Sequence, residues 1–185
     1  MALMNLTNNI ESIGDDVFRN FRGFIGNLII PDSVGLLGNS SFYGCSGFNG
    51  ILKISSNLAK IVDEVFYNCS GFIGDLIIPE SIRSIGTYSF DNYYGFNGSL
   101  ILSKKLTIID EFSFFNCSEF TGSFNLDKTS VNTIEKYAFY NCSQMTGNLH
   151  IPDTVTSIGD APFLNCIGFN GTLRISENMG KFLMI

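Results

Sequence analysis

The stretch that decides the fold runs from Ile61 to Pro79 and reads Ile-Val-Asp-Glu-Val-Phe-Tyr-Asn-Cys-Ser-Gly-Phe-Ile-Gly-Asp-Leu-Ile-Ile-Pro. Nearly every other part of the 185-residue chain is a variant of this stretch. A recurrence of this kind predicts a solenoid, in which each repeat forms one coil and buries its apolar side chains against the coils on either side.

The period of the repeat is 24 residues, with a single step of 25 between Phe114 and Phe139. The register of Phe66 is aromatic in all seven coils: Phe18, Phe42, Phe66, Phe90, Phe114, Phe139 and Phe163. A second register, three residues later, holds Phe21, Cys45, Cys69, Tyr93, Cys117, Cys142 and Cys166. Every coil then has a glycine at the same register: Gly26, Gly50, Gly74, Gly98, Gly122, Gly147 and Gly171. The repeat therefore covers the chain as one domain, for which we predict a lead-in at 1–9, seven repeats at 10–178 and a truncated eighth repeat at 179–185.

Three segments are predicted within each coil. Leu76 and Ile78 lie two residues apart after the glycine, which is typical of a strand with one buried face, and stacking such strands gives a parallel sheet. Ile82 and Ile85 precede a glycine and indicate a second, weaker strand. Acidic residues ahead of the Phe register resemble the first turn of a helix, so we predict a short helix or 3₁₀ turn there. The predicted fold class is an α/β solenoid with a right-handed coil.

Two registers predict special backbone geometry. The residue before the Cys register is always Asn or Gly: Asn20, Gly44, Asn68, Asn92, Asn116, Asn141 and Asn165. These two residue types adopt positive φ at low cost, as at the end of a helix, so we predict positive φ at all seven positions. The invariant glycine predicts either a bend or a close approach between the backbones of adjacent coils.

The five cysteines share one register with Phe21 and Tyr93, and a position that accepts Cys, Phe or Tyr is apolar. We therefore predict buried free thiols that behave as small hydrophobic side chains. The chain contains no CxxC motif and one His, so no metal site or other cofactor is expected.

Charge and hydropathy exclude two classes of partner. The net charge is −6 and the 11 Lys and Arg residues are scattered, whereas a nucleic-acid site needs them clustered. No apolar run approaches the roughly 20 residues of a membrane-spanning helix, so membrane insertion is not expected. The first nine residues lack the basic start and the apolar length of a secretory signal.

One coil can be written as Ile-Gly-x-x-x-Phe-x-Asn-Cys-Ser-x-Phe-x-Gly-x-Leu-x-Ile-Pro, and this pattern resembles the BspA-like leucine-rich repeats, also called the LRR_5 type. The resemblance extends over about residues 10–182. It implies a cell-surface or secreted protein that binds a host protein, matrix or another microbe. The departures are Phe21 and Tyr93 in place of Cys, and Ser55, Ser103, Asp127 and Ser176 where Pro is usual.

If the Leu and Ile of each strand point inward, the alternating residues point outward in two rows. The first row is Asn27, Ile51, Asp75, Ser99, Ser123, Asn148 and Thr172. The second row, our candidate protein-binding face, is Ile29, Lys53, Ile77, Ile101, Asn125, His150 and Arg174. This row mixes exposed Ile with basic residues, which is typical of a contact surface, although packing under a neighbour is an equal alternative at this point. We expect His150 to face solvent, with no nucleophile, carboxylate or metal ligand registered to it.

The sequence is compatible with two functional hypotheses. The favoured hypothesis is a non-enzymatic protein-recognition or adhesion module that uses the second row. The alternative is a purely structural unit that stacks or self-assembles, with self-association through the uncapped apolar C-terminal coil. No residue pattern indicates catalysis, so we do not expect an enzyme.

Overall fold

The computed structural model describes residues 2–92 and 94–177. They form a parallel β-solenoid of about seven turns. The truncated repeat predicted at 179–185, its uncapped end and Tyr93 of the Cys register lie outside the described residues. The 1–9 segment contributes a strand, because Ala2 and Leu3 pair with Phe24 and Ile25 of the first coil.

The strands are short, and all of their pairings are parallel. They are β1 (Ala2–Leu3), β2 (Ser12–Ile13), β3 (Phe24–Ile25), β4 (Leu28–Ile29), β5 (Leu36–Leu37), β6 (Leu52–Lys53), β7 (Lys60–Ile61), β8 (Leu76–Ile77), β9 (Ser84–Ile85), β10 (Leu100–Ile101), β11 (Ile108–Ile109), β12 (Thr133–Ile134), β13 (Gly147–His150), β14 (Ser157–Ile158) and β15 (Phe169–Arg174). The predicted parallel stacking of successive coils is confirmed.

The more continuous sheet is the one that the sequence predicted to be weaker. Strands β7, β9, β11, β12 and β14 form one five-stranded sheet, with Ile61, Ile85, Ile109, Ile134 and Ile158 aligned across it. A backbone bond also links each coil to the one before it, as in the donation from the Gly86 N–H to the Ile61 carbonyl at 2.9 Å. This sheet is regular because the same β-branched residue recurs at the same register of adjacent coils.

The Leu-containing strands pair only two by two, as β4–β6, β8–β10 and β13–β15. Side chains take part in the links within these pairs. Asp75 Oδ1 accepts a hydrogen bond from the Ser99 N–H at 2.7 Å, and Asn97 Oδ1 accepts one from the Gly74 N–H at 2.9 Å. Gly74 has a φ of +80°, whereas a Cβ at Gly98 would lie 2.2 Å from Asp75 Oδ1. The invariant glycine thus serves both predicted purposes, bending one coil and permitting close approach in the next.

The predicted helix or 3₁₀ segment is wrong for the described residues, which contain turns at this point of every coil and no helix. The reason is a second positive-φ position four residues before the Asn/Gly register, as at Glu64 (φ 54°) and Asn68 (φ 53°). Such a pair prevents continuous right-handed helix. The Phe66 N–H donates instead to the Ser89 carbonyl of the next coil at 3.0 Å, while the Tyr67 N–H closes a turn onto Glu64 at 3.1 Å. Alternate N–H groups therefore bond between coils and within turns.

The positive φ predicted at the Asn/Gly register is confirmed at all seven positions, with values between 53° and 67°. The acidic residues before the Phe register do not cap helices, which is a second correction. The Asp63 carboxylate accepts a hydrogen bond from the Thr87 N–H of the next coil at 2.9 Å, and Asp15 does the same for Asn39 at 2.7 Å. These acids satisfy backbone donors between coils.

The core is a pair of aromatic columns along the solenoid axis. Successive rings of the Phe66 register stack with centroid separations of 5.2 to 5.8 Å along the whole column from Phe18 to Phe163. A second column runs from Phe24 to Phe120 with separations of 5.3 to 6.2 Å. Offset stacking in this distance range adds to the burial of the rings. Each ring is covered by those above and below it, so the central coils are mutually dependent.

The prediction for the cysteines is confirmed, since all five are free and four are fully buried, with Cys166 half-buried. The structure adds a role that the sequence did not indicate. Each thiol lies within hydrogen-bond distance of the carbonyl of the Phe register in the preceding coil, as for Cys69 Sγ and Phe42 O at 2.9 Å. The same contact recurs at Cys45, Cys117, Cys142 and Cys166. The thiols therefore satisfy carbonyl groups that face the core.

We expect the four buried thiols to resist labelling by Ellman's reagent in the folded protein and to react fully in denaturant. Their sulfurs lack solvent access, and burial raises the pKa of the Cys142 thiol, which disfavours the reactive thiolate. The side chain of Cys45 is likewise 0% exposed, which keeps the reagent from its sulfur. The measurement is the number of thiols released against time at constant pH. Rapid labelling of more than one thiol without denaturant would contradict the buried register.

The inward registers are less well covered in the last described coil. Leu173 is 65% exposed and Ile175 is 38% exposed, although both occupy registers that are buried in the central coils. No described coil stacks on the far side of this one.

Candidate recognition face

The candidate face lies on the outside of the Leu-containing strands, where the sequence placed it. Backbone pairing sets Ile77 directly beside Ile101, Ile29 beside Lys53, and His150 beside Arg174. Neighbouring residues in such ladders lie about 4.8 Å apart. The row is therefore a linear array of side chains along the solenoid axis, made from one residue of each coil.

Three isoleucines of the row are largely open to solvent. Ile29 is 47% exposed, Ile77 is 55% exposed and Ile101 is 45% exposed. Ile51 of the first row and Ile73, just before the glycine of its coil, are each 47% exposed. These five side chains form what we call the isoleucine patch. Large β-branched side chains at nearly half exposure in adjacent coils expose apolar area that a partner could bury.

The polar members of the row differ in exposure. Lys53, Asn125 and Arg174 are exposed, as predicted. His150 is not, since it is half-buried and its Nδ1 contacts Asp127 Oδ1. The expectation of a solvent-facing His without a carboxylate partner is therefore wrong. The cause is the additional residue of the fifth coil, which falls in the 127–130 turn and lets Asp127 reach the next coil.

The structure also shows an aromatic surface that sequence reasoning missed. Half-buried rings on the turn side stack between coils, with centroid separations of 4.6 Å for Tyr43–Tyr67, 4.7 Å for Tyr88–Phe112 and 4.6 Å for Phe115–Tyr140. The Arg19 guanidinium lies over the ring of Tyr43 at 4.0 Å. The signal was present in the sequence, because the residue after the Phe register is aromatic in four of the seven coils.

A single carboxylate interrupts this aromatic surface. Asp91 occupies the position of Tyr67 one coil further on and is only 4% exposed. Its Oδ1 is buried without a hydrogen-bond partner among the described residues. Burial raises the pKa of Asp91 to about 7, against a smaller lowering by the backbone N–H of Asn92. This group is the most strongly perturbed carboxylate of the described chain.

No helix long and apolar enough to cross a bilayer is found in the described part of the chain. Within the same residues, no group of three or more His, Cys, Asp and Glu side chains is arranged to hold a metal ion.

Comparison with solved structures shows the same fold elsewhere. A leucine-rich repeat protein of T. pallidum superposes with a TM-score of 0.75 at 20% identity, over 87% of this chain and 72% of that one. A leucine-rich repeat protein of Bacteroides ovatus superposes with a TM-score of 0.58 at 20% identity, over 90% of this chain and 55% of that one. The chain thus spans little more than half of the second protein. At this identity the likeness concerns the fold.

No curated protein matches the sequence. The model of the BspA type leucine-rich repeat region does match it, in six copies that cover residues 2–121 and 63–182. Together the two ranges span residues 2–182, nearly the whole chain. This chain belongs to the BspA-type leucine-rich repeat family.

Proposed function

We propose that this chain is a non-enzymatic protein-recognition module whose contact surface is the second outward row together with the isoleucine patch. The observation that carries the proposal is the exposure of Ile29, Ile77 and Ile101 at 45 to 55% in one line. Burying them against a partner would return about 25 cal/mol for each Å² removed from water.

A protein fits this surface better than the other classes of partner. The row combines apolar side chains with the polar Lys53, Asn125 and Arg174, and a mixture of apolar and polar side chains is the usual composition of a protein–protein interface. The net charge of −6 disfavours both nucleic acid and anionic lipid. We propose a host, matrix or microbial surface protein as the partner and a cell-surface or secreted location, in keeping with the family.

The replacement of Ile77 and Ile101 with Asp in one variant is expected to abolish partner binding. Two adjacent carboxylates would have to be desolvated in the complex, and each site should cost at least tenfold in affinity, or about 1.4 kcal/mol. The melting temperature should stay nearly unchanged because both side chains face solvent. Binding is measured with surface extracts of candidate host or microbial cells passed over the immobilised chain.

The matched control carries the same charge change on strands outside the candidate face. Leu36 and Ile108 are exposed side chains of β5 and β11, so Leu36→Asp with Ile108→Asp adds two carboxylates away from the candidate face. Proteins retained by the wild type and this control but lost from the Ile77/Ile101 variant would support the face. Equal retention by all three proteins would discard it.

A second candidate is the structural stacking unit. The observation that favours it is the 83% exposure of Ile167, an apolar side chain in an outward register where four other coils have Ser. In that case the wild type and both double variants would retain no partner protein. The mean particle mass measured by light scattering would rise with protein concentration in all three.

A further inference from the structure

A concave site lies on the strand face at the C-terminal end of the candidate row. It is a half-open cavity of about 280 Å³, and its lining includes Asn125, Asp127, Asn148, His150, Thr172 and Arg174. Three of these residues belong to the predicted row, where they form its polar end beyond the isoleucine patch. The site is therefore a separate feature of the same face.

The cavity exists because the repeat is irregular here. The fifth coil has Phe124 where six other coils have Leu, and it carries the additional residue in its 127–130 turn. Its outward segment is linked to the next coil by an isolated bridge between Ser123 and Thr146. The register between β13 and β15 also shifts between Gly147 and Leu149. A regular ladder would have filled this space with adjacent strands.

Contacts within the site hold Asn125, Asp127 and Asn148 in place. Each of these side chains keeps further hydrogen-bond donors or acceptors that a ligand could use. Asn148 Oδ1 accepts the Thr172 N–H at 2.9 Å, which leaves the Asn148 amide N–H₂ as a donor. Asn125 Oδ1 accepts the Asp127 N–H at 2.7 Å in the same way. Asp127 is fixed by His150 through one carboxylate oxygen, and the second oxygen remains an acceptor. Arg174 is exposed and adds a planar fork of donors.

The chemistry of a ligand follows from this inventory. The site combines fixed donors, a fixed carboxylate acceptor and the hydroxyl of Thr172, with one cation and one anion, so it does not favour a ligand of strong net charge. A ligand with neighbouring hydroxyl groups, each of which can donate and accept, would form hydrogen bonds with the carboxylate, amide and guanidinium groups at the same time. The volume lies just below the range of about 300–1,000 Å³ typical of drug-sized ligand sites, which suits a single small ring.

From these observations we propose that the cavity between the fifth and seventh coils binds a monosaccharide residue, with Asp127, Asn148 and Arg174 as its hydrogen-bonding partners. His150 positions the Asp127 carboxylate and does not itself contact the sugar. The site would add glycan recognition to the polar end of the same face.

The proposal is tested by titrating the full chain with the methyl glycosides of glucose, galactose, mannose and N-acetylglucosamine and following backbone amide signals by NMR. Concentrations reach about 50 mM, because a ligand of one ring binds weakly. Cyclohexylmethanol, which has a similar ring and one hydroxyl, is the control ligand. We expect saturable shifts at Ser123, Asn148 and Thr172 with at least one glycoside and none with the control ligand.

The variant Arg174→Gln should weaken that glycoside at least tenfold, while Lys53→Gln, in the same row but outside the cavity, should leave it unchanged. Because both side chains are exposed, neither change should impair folding. The absence of saturable shifts with all four glycosides would overturn the proposal, as would equal affinity in the Arg174→Gln variant. Neither result would bear on the isoleucine patch, whose test uses different residues and a different readout.

Discussion

Replacing Phe90 with Ala is expected to lower the free energy of unfolding by about 3–5 kcal/mol. The ring is 0% exposed and stacks between Phe66 and Phe114, with centroid separations of 5.4 and 5.3 Å. Truncation removes apolar contacts and leaves a cavity that two rigid neighbouring rings cannot fill. Urea denaturation followed by circular dichroism measures the change.

The control for this variant is Phe21→Ala, since Phe21 is 50% exposed in the first coil. Its loss should be about 1 kcal/mol or less, because little apolar area leaves the core. A loss below about 1 kcal/mol for the Phe90 variant, or an equal loss in the two variants, would show that the Phe66 register does not carry the stability of the stack.

Asp91 should make the protein less stable as the pH rises from about 4 to about 7. Its pKa in the folded protein is raised to about 7 by burial, whereas an aspartate in an unfolded chain titrates near 3.9. The folded state therefore binds more protons than the unfolded state between these two values, and stability falls with increasing pH across that window. The full difference corresponds to about 2–4 kcal/mol, and it is complete above the folded pKa.

The variant Asp91→Asn removes the titrating group while keeping the shape of the side chain. The melting temperature of the variant minus that of the wild type should therefore increase between about pH 4 and pH 8. Asp153→Asn, at an exposed aspartate, is the matched control and should change nothing across the same range. Burial and the nearby carboxylates of Asp63, Glu135 and Glu111 also raise the pKa of Asp110. That background acts in the same direction in all three proteins and cancels in the comparison. Parallel pH profiles for wild type and Asp91→Asn would contradict a buried carboxylate.

The repeat itself could be predicted from sequence because inward positions obey a strict period. The Phe66 register and the Asn/Gly register each repeat in seven coils, so burial and positive φ followed from the residue types alone. The absence of a helix at the Phe register could not be predicted from the residue types. Glu64, Tyr88 and Phe112 have positive φ although their residue types do not favour it, and the inter-coil hydrogen bonds that hold them there are invisible in one coil.

The polar part of the candidate site was harder to foresee for a related reason. The exposure of Ile77 and Ile101 followed from strict alternation along a strand. The contact between His150 and Asp127 depends instead on where the additional residue of the fifth coil places a turn, and period arguments do not apply to an insertion. The perturbed carboxylate of Asp91 could not be predicted either. From sequence alone, an acidic residue in a register that is mostly aromatic is expected to be exposed, whereas Asp91 is buried.

The hydrogen bonds between coils have a consequence for how such a molecule can change size. Residues in one coil bond to residues about 24 positions away, as Phe42 bonds to Val65 and Phe66 bonds to Ser89. Gain or loss of one complete unit would therefore recreate an equivalent junction, whereas a partial unit would bring unlike side chains together. A change of length by one whole unit would add or remove one member of the outward row.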